Sequence, residues 1–177
     1  MKAVISTAIF IMMASNSLSV FDFSKNEEVS SWIIVNDGVM GGLSKGKFYA
    51  NEEGNGVFEG SVSLENYGGF TSVRHRFSTM EIGAYENFRI RLKGDGKRYQ
   101  FRVKTDKDDR HTYRVHFETT GEWQEILIPM EELIPVFRGR ELQMDHFTGE
   151  KMEEIGFLIA NKKAEEFRLE IDEITLD

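Results

Sequence analysis

The sequence predicts an all-β fold, a sandwich or jelly roll of about nine short strands, and three observations carry that expectation. Apolar residues recur at every second position over most of the chain. Sixteen glycines stand against two prolines, the balance of many tight turns and not of a disordered linker. A single stretch, Met130–Ile134 after Pro129, has the look of a short helix. With 177 residues, 40% of them hydrophobic and 14 of them Phe, the chain suits one domain with one core.

The clearest strands alternate throughout. Phe88, Ile90 and Leu92 alternate with Arg89, Arg91 and Lys93; Tyr99, Phe101 and Val103 with Gln100, Arg102 and Lys104; Tyr113, Val115 and Phe117 with Arg114, His116 and Glu118. Ile155–Ile159 and Phe167–Ile171 follow the same rule, and each is a half-buried strand by its period. Trp32–Val35, Val57–Leu64, Phe70–Phe77 and Glu122–Ile128 add less regular candidates, with Trp32 and Trp123 as expected core anchors.

A hairpin through Gly94-Asp95-Gly96-Lys97 would pair Leu92 with Tyr99 and Ile90 with Phe101, putting Arg89 beside Arg102. A second turn, Thr105–His111, aligns Phe101 with Val115, so that Arg114 adjoins Arg102 and His116 adjoins Gln100. The expectation is a row of three arginines, Arg89, Arg102 and Arg114, flanked by Gln100 and His116. Like charges side by side on a sheet are unfavourable and need an offset. Solvent with carboxylates such as Glu118, Glu170 and Asp172 is one. A concave polar face that binds an anionic or polyhydroxylated ligand is the other, since planar guanidinium donors suit it.

Charge and composition narrow the function. The formal net charge of -8 opposes binding to a phosphate backbone, so no nucleic-acid partner is expected. The absence of cysteine excludes disulfides, thiolate nucleophiles and thiolate metal sites. No nucleophile elbow, P-loop or HExxH helix occurs. The four histidines are scattered, with His111 and His116 on opposite faces of one strand. Thr105–Asp109 lacks the glycine and terminal glutamate of a calcium loop and reads as a hairpin tip. No enzyme, metal or other cofactor is implied.

At the amino end, Lys2 precedes an apolar run, Ala3–Ala14, followed by small polar residues. The run is too short to span a bilayer and matches a signal peptide. Residues 1–19 are read as that signal and 20–177 as the domain, with no transmembrane segment in the mature chain. Cleavage implies an exported or periplasmic protein; without it the chain would be cytoplasmic or membrane-associated.

Asn36-Asp37-Gly38-Val39-Met40-Gly41-Gly42 is the most unusual local feature. Its residues tolerate left-handed backbone and predict a complex loop after the Trp32 strand, one that either bonds to itself through Asn36 and Asp37 or lets a partner approach. With the stretches WIIVNDGVMGGLSKGKF (32–48), FEGSVSLENYGGFTSVR (58–74), KGDGKRYQFRVKT (93–105), GEWQEILIPM (121–130), FRGR (137–140) and IGFLIANKKAEEFRLEIDEI (155–174), the chain resembles the complex I intermediate-associated protein 30 family, read here as a bacterial member. Ala164-Glu165-Glu166 departs from the Gly-Pro turn common in the family at that point.

The resemblance implies a galactose-binding-like jelly roll and a non-enzymatic, assembly-factor or chaperone-like protein related to respiratory complex I assembly. It supplies no catalytic residues. The partner it implies is a protein, with the motif-loop residues Asn36, Asp37, Gly38, Met40, Gly41 and Gly42 and the FRGR residues Arg138 and Arg140 as candidate contacts. The alternative is an exported carbohydrate-binding module using the polar sheet face, with loop aromatics such as Tyr67.

Overall fold

The alternating segments form strands in the computed structural model, which describes residues 17–25 and 29–177. The strands are β1 Leu18–Asp22, β2 Trp32–Asn36, β3 Lys45–Ala50, β4 Gly56–Val62 and β5 Thr71–Glu81. There follow β6 Asn87–Lys93, β7 Arg98–Lys104, β8 Thr112–Glu118 and β9 Trp123–Pro129. The last are β10 Ile134–Phe137, β11 Arg140–Glu141, β12 Lys151–Ile159 and β13 Glu165–Leu176. All nine expected strands are present. The segment read as a helix after Pro129 is one 3-10 turn, Met130–Glu132, and Ile134 already belongs to β10.

Two antiparallel sheets face each other. One has the order β3-β4-β13-β6-β9, with β1 also on β13; the other has β11-β10-β8-β7-β12-β5-β2. Their inner faces make one core. Phe58, Phe88, Ile90 and Leu169 from the six-stranded sheet join Tyr99, Phe101, Ile155 and Phe157 from the seven-stranded sheet, all with no exposed surface. Each such side chain contributes about 1.5–3 kcal/mol by leaving water, so it is the shared apolar face that fixes which side of each strand turns inward.

The β7–β8 hairpin has the expected register, with Phe101 opposite Val115, Arg102 opposite Arg114 and Gln100 opposite His116. The β6–β7 hairpin does not exist. β6 pairs with β13 and β9, β7 with β8 and β12, and Gly94–Lys97 carries the chain from one sheet to the other. One local contact and two distant in sequence hold this crossing. Asp95 accepts from Tyr99 Oη at 2.9 Å and from the Arg168 backbone N–H at 2.9 Å, and a Cβ on Gly94 would come within 2.2 Å of the Thr119 side chain.

Trp32 is a core anchor, 6% exposed and ringed by Phe21, Phe23 and Phe48, with His75 stacked on it at 5.1 Å. Trp123 is not. It lies half-buried on the outward face of edge strand β9, with Arg91 over its ring at 5.5 Å. β1 already includes Leu18 and Ser19, opposite Leu176 and Thr175. The rest of the segment read as a signal, residues 1–16, lies outside the described residues.

Candidate functional site

The outward face of the seven-stranded sheet gathers arginines from three strands. Strand registers place Ile134, Arg114, Arg102, Gly156, Arg74 and Ile33 in one row across β10, β8, β7, β12, β5 and β2. Arg102 and Arg114 are neighbours as expected. Arg89 is not the third member: it sits on β6 in the other sheet, where Glu125 and Asp177 neutralise it. Apolar alternation puts Arg89 on an outward face in either arrangement and does not say of which sheet. The third arginine is Arg74, which sequence reasoning missed because β5 and β7 meet only through the distant strand β12.

Gly156 is what lets Arg74 and Arg102 share the site. A Cβ there would lie 2.6 Å from Val73 O and 3.4 Å from Arg74 Cγ, so the Arg74 stem runs over a position without a side chain. Next to it, buried Gln100 accepts from Arg102 Nε at 3.0 Å and Nη2 at 2.7 Å, fixing the guanidinium plane. Arg114 Nε is buried without a hydrogen-bond partner. Burial first, then the charges of Arg74 and Arg114, pull the Arg102 pKa down to about 10, opposed only by Glu154. Burial and the charges of Arg114, Arg98 and Arg102 hold His116 below its ordinary value.

The two outward faces differ in how their charges are matched. On the six-stranded sheet, Arg89 meets Glu125 and Asp177, Arg91 meets Asp172 at 2.8 Å, and Arg168 meets Glu59 and Glu170. Two of the carboxylates expected to offset the arginine row, Glu170 and Asp172, are thus committed to that sheet. On the seven-stranded sheet, Arg76 takes Glu154 at 2.7 Å, whereas Arg74, Arg102 and Arg114 form no ion pair among the described residues. Three arginines without an ion pair thus stand side by side on one face of an acidic chain.

The motif loop is organised by one buried carboxylate. Asp37, with no exposed surface, accepts from Ser44 N (3.1 Å), Ser44 Oγ (2.5 Å), Gly69 N (2.7 Å) and Phe70 N (3.3 Å). Burial alone would raise its pKa; these hydrogen bonds outweigh it and hold the carboxyl below the usual value. Gly42 must be glycine, because a Cβ would sit 2.3 Å from the Asp37 carboxyl. Gly41, at φ 87°, closes the 3-10 turn Asp37–Met40 that also contains Gly38. Asn36 Oδ1 accepts from Gly46 N (3.1 Å) and Thr71 Oγ1 (2.5 Å). The polar side chains of this motif therefore tie three segments together.

Two further features lie at opposite edges of the seven-stranded sheet. The loop Asp37 holds also presents Tyr67, 93% exposed at φ 61°, beside exposed Leu64. Arg138 and Arg140 lie at the opposite edge of the seven-stranded sheet, on the β10–β11 turn, with Arg138 and Arg110 over the Phe137 ring at 5.3 and 5.0 Å. The structure thus does not join the FRGR arginines to the Asp37 loop. No cluster of three or more His, Asp or Glu able to hold a metal occurs among the described residues. No described helix is long and apolar enough to cross a membrane.

Residues 21–171 match the family model described as Complex I intermediate-associated protein 30. The chain belongs to this family. The mouse protein named "Complex I intermediate-associated protein 30, mitochondrial" is 24% identical over 86% of this chain. That alignment takes in 54% of the mouse protein, so the chain spans about half the length of this relative.

Among solved structures, the fold is that of carbohydrate-binding modules. The family 11 module of a cellulosomal cellulase from Clostridium thermocellum superposes with a TM-score of 0.64 at 16% identity, over 92% of this chain and 95% of the module. A structure of that module with a β-1,3-1,4-mixed-linked tetrasaccharide gives 0.62 at 16% identity, over 90% and 94%. An agarase matches with 0.60 at 12% identity, over 91% of this chain and 24% of its own. At these identities the likeness establishes the galactose-binding-like β-sandwich and nothing of the ligand.

Proposed function

We propose that this chain is a non-catalytic binding domain of the assembly-factor kind, which holds a protein partner on the outward face of its seven-stranded sheet. One observation carries the reading. Arg74, Arg102 and Arg114 converge on that face with no carboxylate of their own among the described residues, although every arginine on the opposite sheet's outward face has one. Converging like charges cost stability, and they persist where something else gains from them. The family supports a partner that is a respiratory-complex subunit during assembly.

The test is complementation. A strain lacking the protein is expected to accumulate incomplete complex I on native gels, restored by the wild-type chain and not by an Arg102→Gln/Arg114→Gln variant of unchanged melting temperature. Normal complex I in the deletion strain refutes the assembly role.

A second reading, an exported carbohydrate-binding module, draws on the shared fold and on the signal-like Ala3–Ala14 run. Binding of neutral glucans on a glycan array, abolished by the same arginine variant, would establish it in place of the first.

A further inference from the structure

The order of residues along the arginine row says what kind of partner fits it. Resting on the reading that this face is the binding surface, we propose that it takes an acidic segment of a protein chain, extended across the strands, with its carboxylates on Arg74, Arg102 and Arg114 and apolar side chains on Ile33 and Ile134.

Three features argue for it. The row has aliphatic ends and a cationic centre: Ile134, Arg114, Arg102, Gly156, Arg74, Ile33, with Ile33 51% exposed on edge strand β2. Neighbouring strands lie about 4.8 Å apart, so the row is about 24 Å long with its arginines over the middle 14 Å or so. An extended chain places same-side residues about 6.6 Å apart, so five of them cover the row as apolar, acidic, acidic, acidic, apolar.

The donors are also left open for carboxylates. Gln100 occupies Nε and Nη2 of Arg102 and leaves Nη1, and among the described residues neither this guanidinium nor that of Arg114, whose Nε is buried, makes another hydrogen bond. Arginine forks fit carboxylates in bidentate fashion. Finally, the strand registers put no Trp, Tyr or Phe on the central rows of this face, from Glu118, His116, Arg114 and Thr112 on β8 to Ser72, Arg74 and Arg76 on β5. A neutral sugar, whose apolar ring face is covered by stacking on an aromatic plane, has nothing to stack on there.

The experiment uses the full chain and a fluorescein-labelled nine-residue peptide, Leu, Glu, Glu, Glu and Leu alternating with serines, read by anisotropy. The expected result is saturable binding that weakens about tenfold or more in Arg102→Gln/Arg114→Gln, weakens several-fold between low and moderate salt, and is lost when glutamine replaces the glutamates. An Ile33→Ser variant is expected to lose affinity with its salt dependence unchanged.

Binding equal to that of the glutamine peptide, or unaffected by the arginine changes, overturns the inference. Polygalacturonate binding more tightly than the peptide, with the same arginine dependence, overturns the protein segment while leaving the face as the binding surface. Failure of the underlying reading looks different: the arginine variant then restores complex I assembly in cells as well as the wild type does.

Discussion

Replacing Asp37 by alanine removes a carboxylate with no exposed surface and the four hydrogen bonds it accepts. Three of those donors are backbone N–H groups, of Ser44, Gly69 and Phe70, and each unsatisfied buried donor costs about 1–3 kcal/mol. Water reaching the loop recovers part of this, and about 4 kcal/mol is the expected net loss. With a urea m-value of about 2 kcal/mol/M, the unfolding midpoint falls by about 2 M.

Asp37→Asn keeps the shape and one acceptor but sets an amide donor against N–H groups, so a smaller fall is expected. The carboxyl titrates below its unfolded value. Its contribution is therefore fully present above the unfolded pKa and is lost as pH falls through the folded one. Midpoints measured from pH 7 down to pH 3 should converge for wild type and Asp37→Asn only at the acid end. A midpoint shift below about 0.5 M for Asp37→Ala would refute the claim that this residue ties the motif loop to Ser44 and Gly69.

Three further outcomes are expected. Trp32→Ala should cost about 3–5 kcal/mol in denaturant melts, whereas Trp123→Ala should cost about 1 kcal/mol or less, since only the first lies in the core; equal losses would contradict the assigned faces. Tyr67→Gly should raise the melting midpoint slightly, because glycine relieves about 1 kcal/mol of left-handed backbone strain; a drop would mean that the exposed ring makes a stabilising contact. N-terminal sequencing of the natively expressed protein should find processing before Leu18, because later cleavage would remove the Leu18–Leu176 and Ser19–Thr175 pairs of β1; a first residue of Val20 or beyond would show that those pairs are dispensable.

The strands that sequence reasoning found most clearly are those with sustained alternation, such as β6, β7 and β8, with β2, β4, β5 and β9 as less regular candidates. Three that it missed have local reasons. β3 carries Gly46 between two lysines at a sheet edge, β10 contains Pro135, and β11 has two residues. The β7–β8 register was legible because a local turn and matched alternation set it together. Strand β6 shows the limit of that argument. Its inward face would suit a neighbour in either sheet, and the choice is made by Asp95 and Gly94 through Arg168 and Thr119, more than twenty residues away. The same distance hid Arg74 and Gly156. The roles of Asn36 and Asp37 were visible as a loop that bonds to itself, but not the reach of Asp37 to Gly69 and Phe70 on the far side of two strands.

The places of β12 and β13 bear on how this protein is made. These consecutive strands lie inside different sheets, β12 between β7 and β5, β13 between β4 and β6. Until Lys151–Leu176 has left the ribosome, neither sheet has its middle, and the earlier hairpins present inner faces with nothing to cover them. A nascent chain of this design stays unfolded through most of its synthesis. That delay exposes it to aggregation and gives a holding chaperone or a translocation channel that admits only unfolded chains its whole length in which to engage.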